Sequence, residues 1–505
     1  MTAPRPTVLV TVLVVAIALA VVAVDRLLPP PEPAADGHVD AATDRVGGTW
    51  TCPVGDARAG SATSLLAVGS GDEPGRIELG TFGDGDLDLG EAGRVRAGAA
   101  AGATLEGGAG DAAFAHVYDG PVALHREWRL DGEEDVPPGI AAGPCVAESS
   151  DRWLVPGMST AGGYEARLRL ANPYETDATV AIRLVTPEGP VEPTVLQNLT
   201  VQGRSTTEIE VNEHLPERDD VAAEVHVLSG RMAVEGYQLV RQAIGDVDGV
   251  SLLSPAATPS TTWTVPWVAE TGERQSWLWL LNPGDRPAPV ELTMHTTDGG
   301  VVPEGLAEVT VEPGQLRRID LRGTFPEDVE SGAITARSEG VPVVVSGVLR
   351  QEADDAADTG VAVQLGARAD TSWVLSGTGN EDRFEQVRLV NPGSEPASVD
   401  VALWDGESTR TPEELSGIEV PAGALVTANL GAHLEDAGQW AAIVTATEGR
   451  VIAGRVGLGG DEGLDLVAGV GSPGVVWERS GAAVAGRGEP GLTQRTGTGL
   501  LPGRD

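Results

Sequence analysis

In RLRLANP (167–173), WLWLLNP (277–283) and QVRLVNP (386–392), aliphatic residues alternate with other side chains and each run ends in Asn-Pro. Alternation of period two places Leu168 and Leu170, Leu278 and Leu280, and Val387 and Leu389 on the core face of a β-strand that stops at a turn. A second alternating strand follows in each case (ATVAIRLVTPEG, APVELTMHTTDG, ASVDVALWDGES). Next comes a strand entering a tight turn, LTVQGR, VTVEPG or IEVPAG, and then TTEIEV, LRRIDL or LVTANL. A hairpin-like pair closes the series, with Ser-Gly, Glu-Gly and Glu-Gly at turns that suit positive φ, and a last strand (DGVSLLS, TGVAVQL, LDLVAGV) completes it.

The series repeats. Trp50, Trp153, Trp263 and Trp373 stand 103, 110 and 110 residues apart, and each opens one copy. The first copy is divergent: SLLAVGSG replaces the Asn-Pro strand, with Gly69-Ser70 in place of Asn-Pro. Seven or eight short strands in about 105 residues, joined by turns and lacking any amphipathic helical pattern, predict an antiparallel β-sandwich per copy. A propeller with two blades per copy would show a period near 50 residues, and none is visible. Trp477 lies 104 residues beyond Trp373 with only a tail after it, so a Trp strand fits the end of one copy as well as the start of the next.

The predicted fold is therefore all-β: four tandem immunoglobulin-like antiparallel β-sandwich modules after one N-terminal transmembrane helix. The segments are an anchor or signal segment at 1–24, a Pro/Asp-rich stalk at 25–48, repeats at 49–151, 152–261, 262–371 and 372–478, and a disordered tail at 479–505. Residues 8–24 form an uncharged run of 17, about enough to cross a hydrocarbon core of ~30 Å. Ala18-Leu19-Ala20 also suits signal peptidase. Both readings export the chain beyond residue 25.

The segment WLVPGMSTAGGYEARLRLANP, its counterparts, and the single N-terminal span resemble an uncharacterised actinobacterial family of membrane-anchored secreted proteins, a domain of unknown function, over about residues 1–480. The resemblance implies location and architecture and no activity.

Composition narrows the partners. The 505 residues carry a formal charge of −41, with no lysine among the cations. Such a surface repels nucleic acid and anionic headgroups. Without lysine, a Ser-Lys dyad or a Schiff base is excluded. The seven histidines form no HExxH and no Cys/His cluster, no G-x-S-x-G nucleophile elbow is present, and no cofactor motif is found. Asp84, Asp86 and Asp88 suggest calcium, but Leu89 and Val95 stand where an EF-hand needs Gly and Glu, so a solvated acidic turn is expected, as for Asp246-Asp248 and Asp354-Asp355.

Cys52 and Cys145 sit at opposite ends of the first copy, an arrangement that predicts a disulfide in an exported chain. One position breaks the repeat: Trp277 and Trp279 occupy the face that carries Arg or Gln in the sister copies. Two exposed indoles predict a contact, by packing under a neighbouring copy with Trp267, by docking a protein, or by stacking on sugar. The expected function is non-enzymatic: a membrane-anchored extracytoplasmic protein with the C-terminal region outside, acting in the cell envelope as scaffold or recognition module, with an envelope protein or glycan as partner. Glycan binding through Trp277, Trp279 and Trp267 is the alternative, and an envelope hydrolase with an unrecognised carboxylate pair the lower one.

Overall fold

A computed structural model describes residues 48–473 apart from 54–60, 72–73, 106–110, 133–135, 148, 244–246, 304, 353–358, 379–383, 435–437, 459–466 and 471. The apolar run at 8–24, the stalk, Trp477 and the tail lie outside them. Among the described residues no helix is long and apolar enough to cross a membrane.

The chain is all-β, built of antiparallel sheets, and each copy of the repeat contributes two. In the second copy one sheet runs Gly189–Val191, Ala178–Thr186, Val221–Ser229, Arg152–Met158, the last being the Trp strand. The other runs Ser205–Glu210, Tyr164–Asn172, Ala233–Ala243, Val247–Leu253, and contains the Asn-Pro strand. The other copies repeat this order, with minor additions at the sheet edges. The alternating residues land as the pattern requires: Leu168, Leu170, Leu278, Leu280, Val387 and Leu389 are all fully buried in the core.

Each Trp strand pairs with the first hairpin strand of the copy it opens, Trp50 opposite Ala115, Trp153 opposite Val225, Trp263 opposite Ala336 and Trp373 opposite Val444. Its indole is tied to the same hairpin: the Nε1–H of Trp153, Trp263 and Trp373 donates to the carbonyls of Met232, Val343 and Val451 at 3.1, 2.7 and 2.7 Å. The residues after a closing strand run back beside the Trp strand of their own copy, where Val146, Ala256 and Ala367 exchange backbone hydrogen bonds with Thr51, Leu154 and Thr264. Ser472–Pro473 does the same beside Trp373 and Val374.

The repeated asparagine is a structural clamp. Asn172 Nδ2 donates to the carbonyls of Thr176 and Val201 at 2.9 and 3.2 Å, while its Oδ1 accepts from the Tyr174 amide. Asn282 and Asn391 make the same three bonds, to Arg286, Val311 and Gly284, and to Glu395, Val420 and Gly393. A buried amide so fully paired fixes the turn against the neighbouring sheet.

Within the unit from Ala42 to Asp505 the copies pack in a closed circuit. The Trp sheet of each copy lies against the Asn-Pro sheet of the next, and that of the fourth copy lies against the first. The closing strands Pro138–Pro144, Val247–Leu253, Gly360–Leu365 and Val467–Val470 touch in the same cyclic order. Their approach is close: a Cβ on Gly249 would come within 3.2 Å of the Val361 nitrogen, so a side chain there would crowd the neighbouring strand. Eight sheets thus stack around a circuit as blades do, yet without a half-period, because the chain crosses between the two sheets of a copy several times rather than finishing one before starting the other.

Candidate functional site

The position singled out by sequence proves to be an interface between copies. Trp277, Trp279 and Trp267 are 7%, 1% and 3% exposed. Of the contacts expected for these indoles, burial corresponds to packing under a neighbouring copy and leaves no bare ring face for sugar. In a closed circuit, the face pointing away from one sandwich points into the next. Trp279 lies beside Gly157 on the Trp strand of the second copy, 3.3 Å from where a Cβ would stand, and its Nε1–H donates to Asp220 Oδ1 at 2.7 Å. Trp277 meets Trp279 edge-on with centroids 5.8 Å apart, and Arg318 caps its ring at 4.3 Å. Burial raises the Asp220 carboxyl above the usual carboxylate range against the opposing pull of Trp279 and Arg318. A perturbed acid marks a candidate site, but this one is occupied by its own indole partner.

The other interfaces also carry polar anchors. Between the first and second copies Arg126 pairs with Glu235, both buried, and Trp128 packs edge-on against Tyr237 at 5.3 Å. Between the fourth and first, Arg455 donates to Glu385 at 2.5 and 3.0 Å and to Glu127 at 3.0 Å, and the Thr378 amide also reaches Glu127. Burial alone would lower the Arg455 pKa, but the two carboxylates outweigh it and hold the cation. Beside them His125 is buried neutral, its pKa pushed down to about 3 by burial and then by Arg455. Between the third and fourth, His295 bridges the Gly423 carbonyl at 2.8 Å and Thr335 Oγ1 at 2.7 Å.

Cys52 and Cys145 are bonded, with Cα atoms 4.7 Å apart, where the start of the first copy meets its end. Asp84-Gly85 forms the two-residue turn of a hairpin, at φ 49° and 90°, and Asp84, Asp86 and Asp88 are exposed. Among the described residues no group of three or more His, Cys, Asp and Glu is placed to hold a metal. Asp246, Asp354 and Asp355 lie outside the described residues, whereas Asp248 accepts from the Gln242 amide at 2.7 Å.

An open concavity lies between the first and second copies, a cleft of about 670 Å³. Its lining comes from strand ends: Val136–Pro138 before the closing strand of the first copy, Tyr164 and Glu165 at the start of the Asn-Pro strand, Glu210 and Asn212, and Arg241, Gln242 and Asp248 across the hairpin end. Asn212 fixes one wall, its Oδ1 accepting from the Ala166 amide at 2.9 Å and its Nδ2 donating to the Tyr164 carbonyl at 2.8 Å. Arg167 gathers Glu165, Glu208 and Glu210 behind the lining. Burial works to raise the Glu208 pKa, but the Tyr237 hydroxyl at 2.8 Å and Arg167 bring it below its ordinary value. Glu165 and Glu210 share one guanidinium, which holds both carboxylates in place as acceptors. With Arg241 and two amides, the cleft offers many acceptors, a few donors and the ring of Tyr164. Sequence reading misses it because its residues come from separate segments of two copies with no common spacing.

These features define an all-β protein of repeated two-sheet copies in a closed packing circuit. Residues 115–370 and 360–475 match the family of unknown function DUF5719, and the chain belongs to that family. No curated protein matches. Among solved structures, a Thermotoga maritima protein, 1070, is similar at 20% identity over 22% of this chain and 95% of its own, with a TM-score of 0.20. The Anabaena sensory rhodopsin transducer is similar at 24% identity over 17% of this chain and 95% of its own, with a TM-score of 0.15.

Proposed function

We propose that this is a non-enzymatic, membrane-anchored extracytoplasmic protein, four immunoglobulin-like sandwiches behind one N-terminal transmembrane helix, serving the cell envelope as a scaffold or recognition module. The observation that carries the reading is the closed packing circuit, which turns the aromatic and charged faces of the copies inward onto one another and leaves strand ends and turns to meet a partner. The disulfide in the first copy supports an oxidising compartment, and the apolar run at 8–24 supports the anchor. A formal charge of −41 disfavours nucleic acid as the partner. Protease shaving of intact cells tests location: the repeats are digested from outside while the N-terminus stays in the membrane fraction, and a protein recovered from the cytosol sinks the proposal.

Recognition of a polyhydroxylated envelope glycan is the second reading, transferred from Trp277 and Trp279 to the cleft between the first and second copies. Carboxylates and amides supply the paired hydrogen bonds that sugar hydroxyls take, and Tyr164 supplies a ring face. Sedimentation with purified cell-wall material checks it: Asp248→Asn combined with Arg241→Gln is expected to lower binding about tenfold, the equivalent of about 1.4 kcal/mol. Equal sedimentation of both proteins counts against it.

A further inference from the structure

The interface between the third and fourth copies holds a buried cation that no carboxylate of the described residues bonds. Arg388 lies on the Asn-Pro strand of the fourth copy and is 9% exposed. Two of its nitrogens donate to one neutral acceptor, Ser331 Oγ, both at 3.2 Å, and its guanidinium carbon stands 5.6 Å from the ring centre of Trp267. Its Nε has no partner. Among the described residues no carboxylate bonds it. The charge of Arg274 acts against it, and the Nε of Arg274 also goes to a neutral group, Gln351 Oε1, at 2.8 Å.

The other buried arginines among the described residues each have a carboxylate partner. At the first-to-second interface the buried Arg126 has Glu235, and at the fourth-to-first the buried Arg455 has Glu127 and Glu385. A guanidinium withdrawn from water beside a like charge is unfavourable unless an anion joins it. Burial first, and Arg274 second, depress the Arg388 pKa to about 10, which still leaves it charged at neutral pH. Its planar fork offers two parallel N–H groups to a carboxylate or phosphate, and the indole supports it from one side.

We propose that Arg388, with the Ser331 hydroxyl beside it, forms an oxyanion-binding site between the third and fourth copies that takes a small carboxylate or phosphate group. The ion completes the interface as Glu235 and Glu127 complete the others.

The test is calorimetric titration and thermal unfolding of the full chain with sodium acetate and with inorganic phosphate, ionic strength being held constant with sodium chloride. Saturable binding of either ion, with a rise in Tm of about 2 to 5 °C at saturation, is expected. Acetate alone identifies a carboxylate, phosphate alone a phosphoryl group, and both an oxyanion site without discrimination. Arg388→Gln abolishes the heat and the Tm rise, while Arg322→Gln, at an exposed pair with Asp320, keeps them. If Arg388→Gln does not fold, Ser331→Ala, which removes only a neutral acceptor, is expected to change affinity at least threefold. No saturable binding of either ion to the wild-type chain, or equal binding by Arg388→Gln, overturns the proposal.

Discussion

Gly157 and Trp279 fit one another across the second and third copies. Gly157 has φ 104° and a Cβ there would stand 2.9 Å from Val363 Cγ1 as well as 3.3 Å from the indole, so both backbone and space require glycine. Trp279→Ala is expected to cost about 3–5 kcal/mol, in the range for a large buried aromatic, and it also strips Asp220 of its donor. Denaturant unfolding with unchanged m checks this. A loss under about 1 kcal/mol would mean that the indole is not packed as described. His125 gives the residue scale its pH dependence. Its folded pKa, about 3, lies below the ordinary value of 6.5. The unfolded chain therefore takes up a proton that the native state refuses: stability is full above about pH 6.5 and falls by about 1.4 kcal/mol per pH unit toward pH 3. Burial lowers His116 and His295 in the same direction. Tm is expected to drop between pH 7 and pH 5, and His125→Gln to flatten that slope.

At the scale of elements, two cross-links hold the first copy, one covalent and one ionic. The disulfide closes a loop of 93 residues, worth about 4–5 kcal/mol in the chain-entropy account. Cys52→Ser with Cys145→Ser is expected to destabilise by somewhat less, because Thr51 and Val146 remain hydrogen-bonded alongside. Reduction with dithiothreitol followed by calorimetry gives the same quantity. Glu127 belongs to the ionic clasp. Removing its charge by Glu127→Gln leaves Arg455 with Glu385 alone, and Glu385→Gln added to it leaves a buried cation unpaired, costing about 3–5 kcal/mol. Non-additivity of the two changes in a double-mutant cycle is the readout.

The alternating strands, the Gly turns and the Asn-Pro punctuation are legible because they arise from period two and local backbone sterics. The fate of the outer faces is not. Arg169, Trp279 and Arg388 occupy one position of the repeat, and nothing local says that an arginine there faces another copy rather than water. The same gap hid the contact among the closing strands, although Gly139-Ile140, Gly249-Val250 and Gly360-Val361 recur 13 or 14 residues before each next framework tryptophan.

For the whole molecule, the circuit predicts cooperativity beyond that of beads on a string. The fourth copy covers the first, with Val374, Trp404, Ala441 and Ile443 sharing a core with Leu65, Val68 and Ile77. Truncation after residue 371 bares both the third copy's outgoing face and the first copy's incoming one. It is expected to lower the Tm of the remaining copies by at least about 5 °C. Independent modules would instead keep their Tm and unfold as separate calorimetric transitions.

The sequence by itself determined the alternating strands, the repeat, the disulfide partners and the Asn-Pro turns, since each follows from short-range periodicity or from the chemistry of single residue types. Only the tertiary structure decided that the copies close on one another, that Trp277 and Trp279 are covered, which buried arginines receive a carboxylate, and where the cleft lies. Those outcomes depend on which faces meet across a hundred or more residues, and pattern along a strand gives the face of a side chain but not its neighbour.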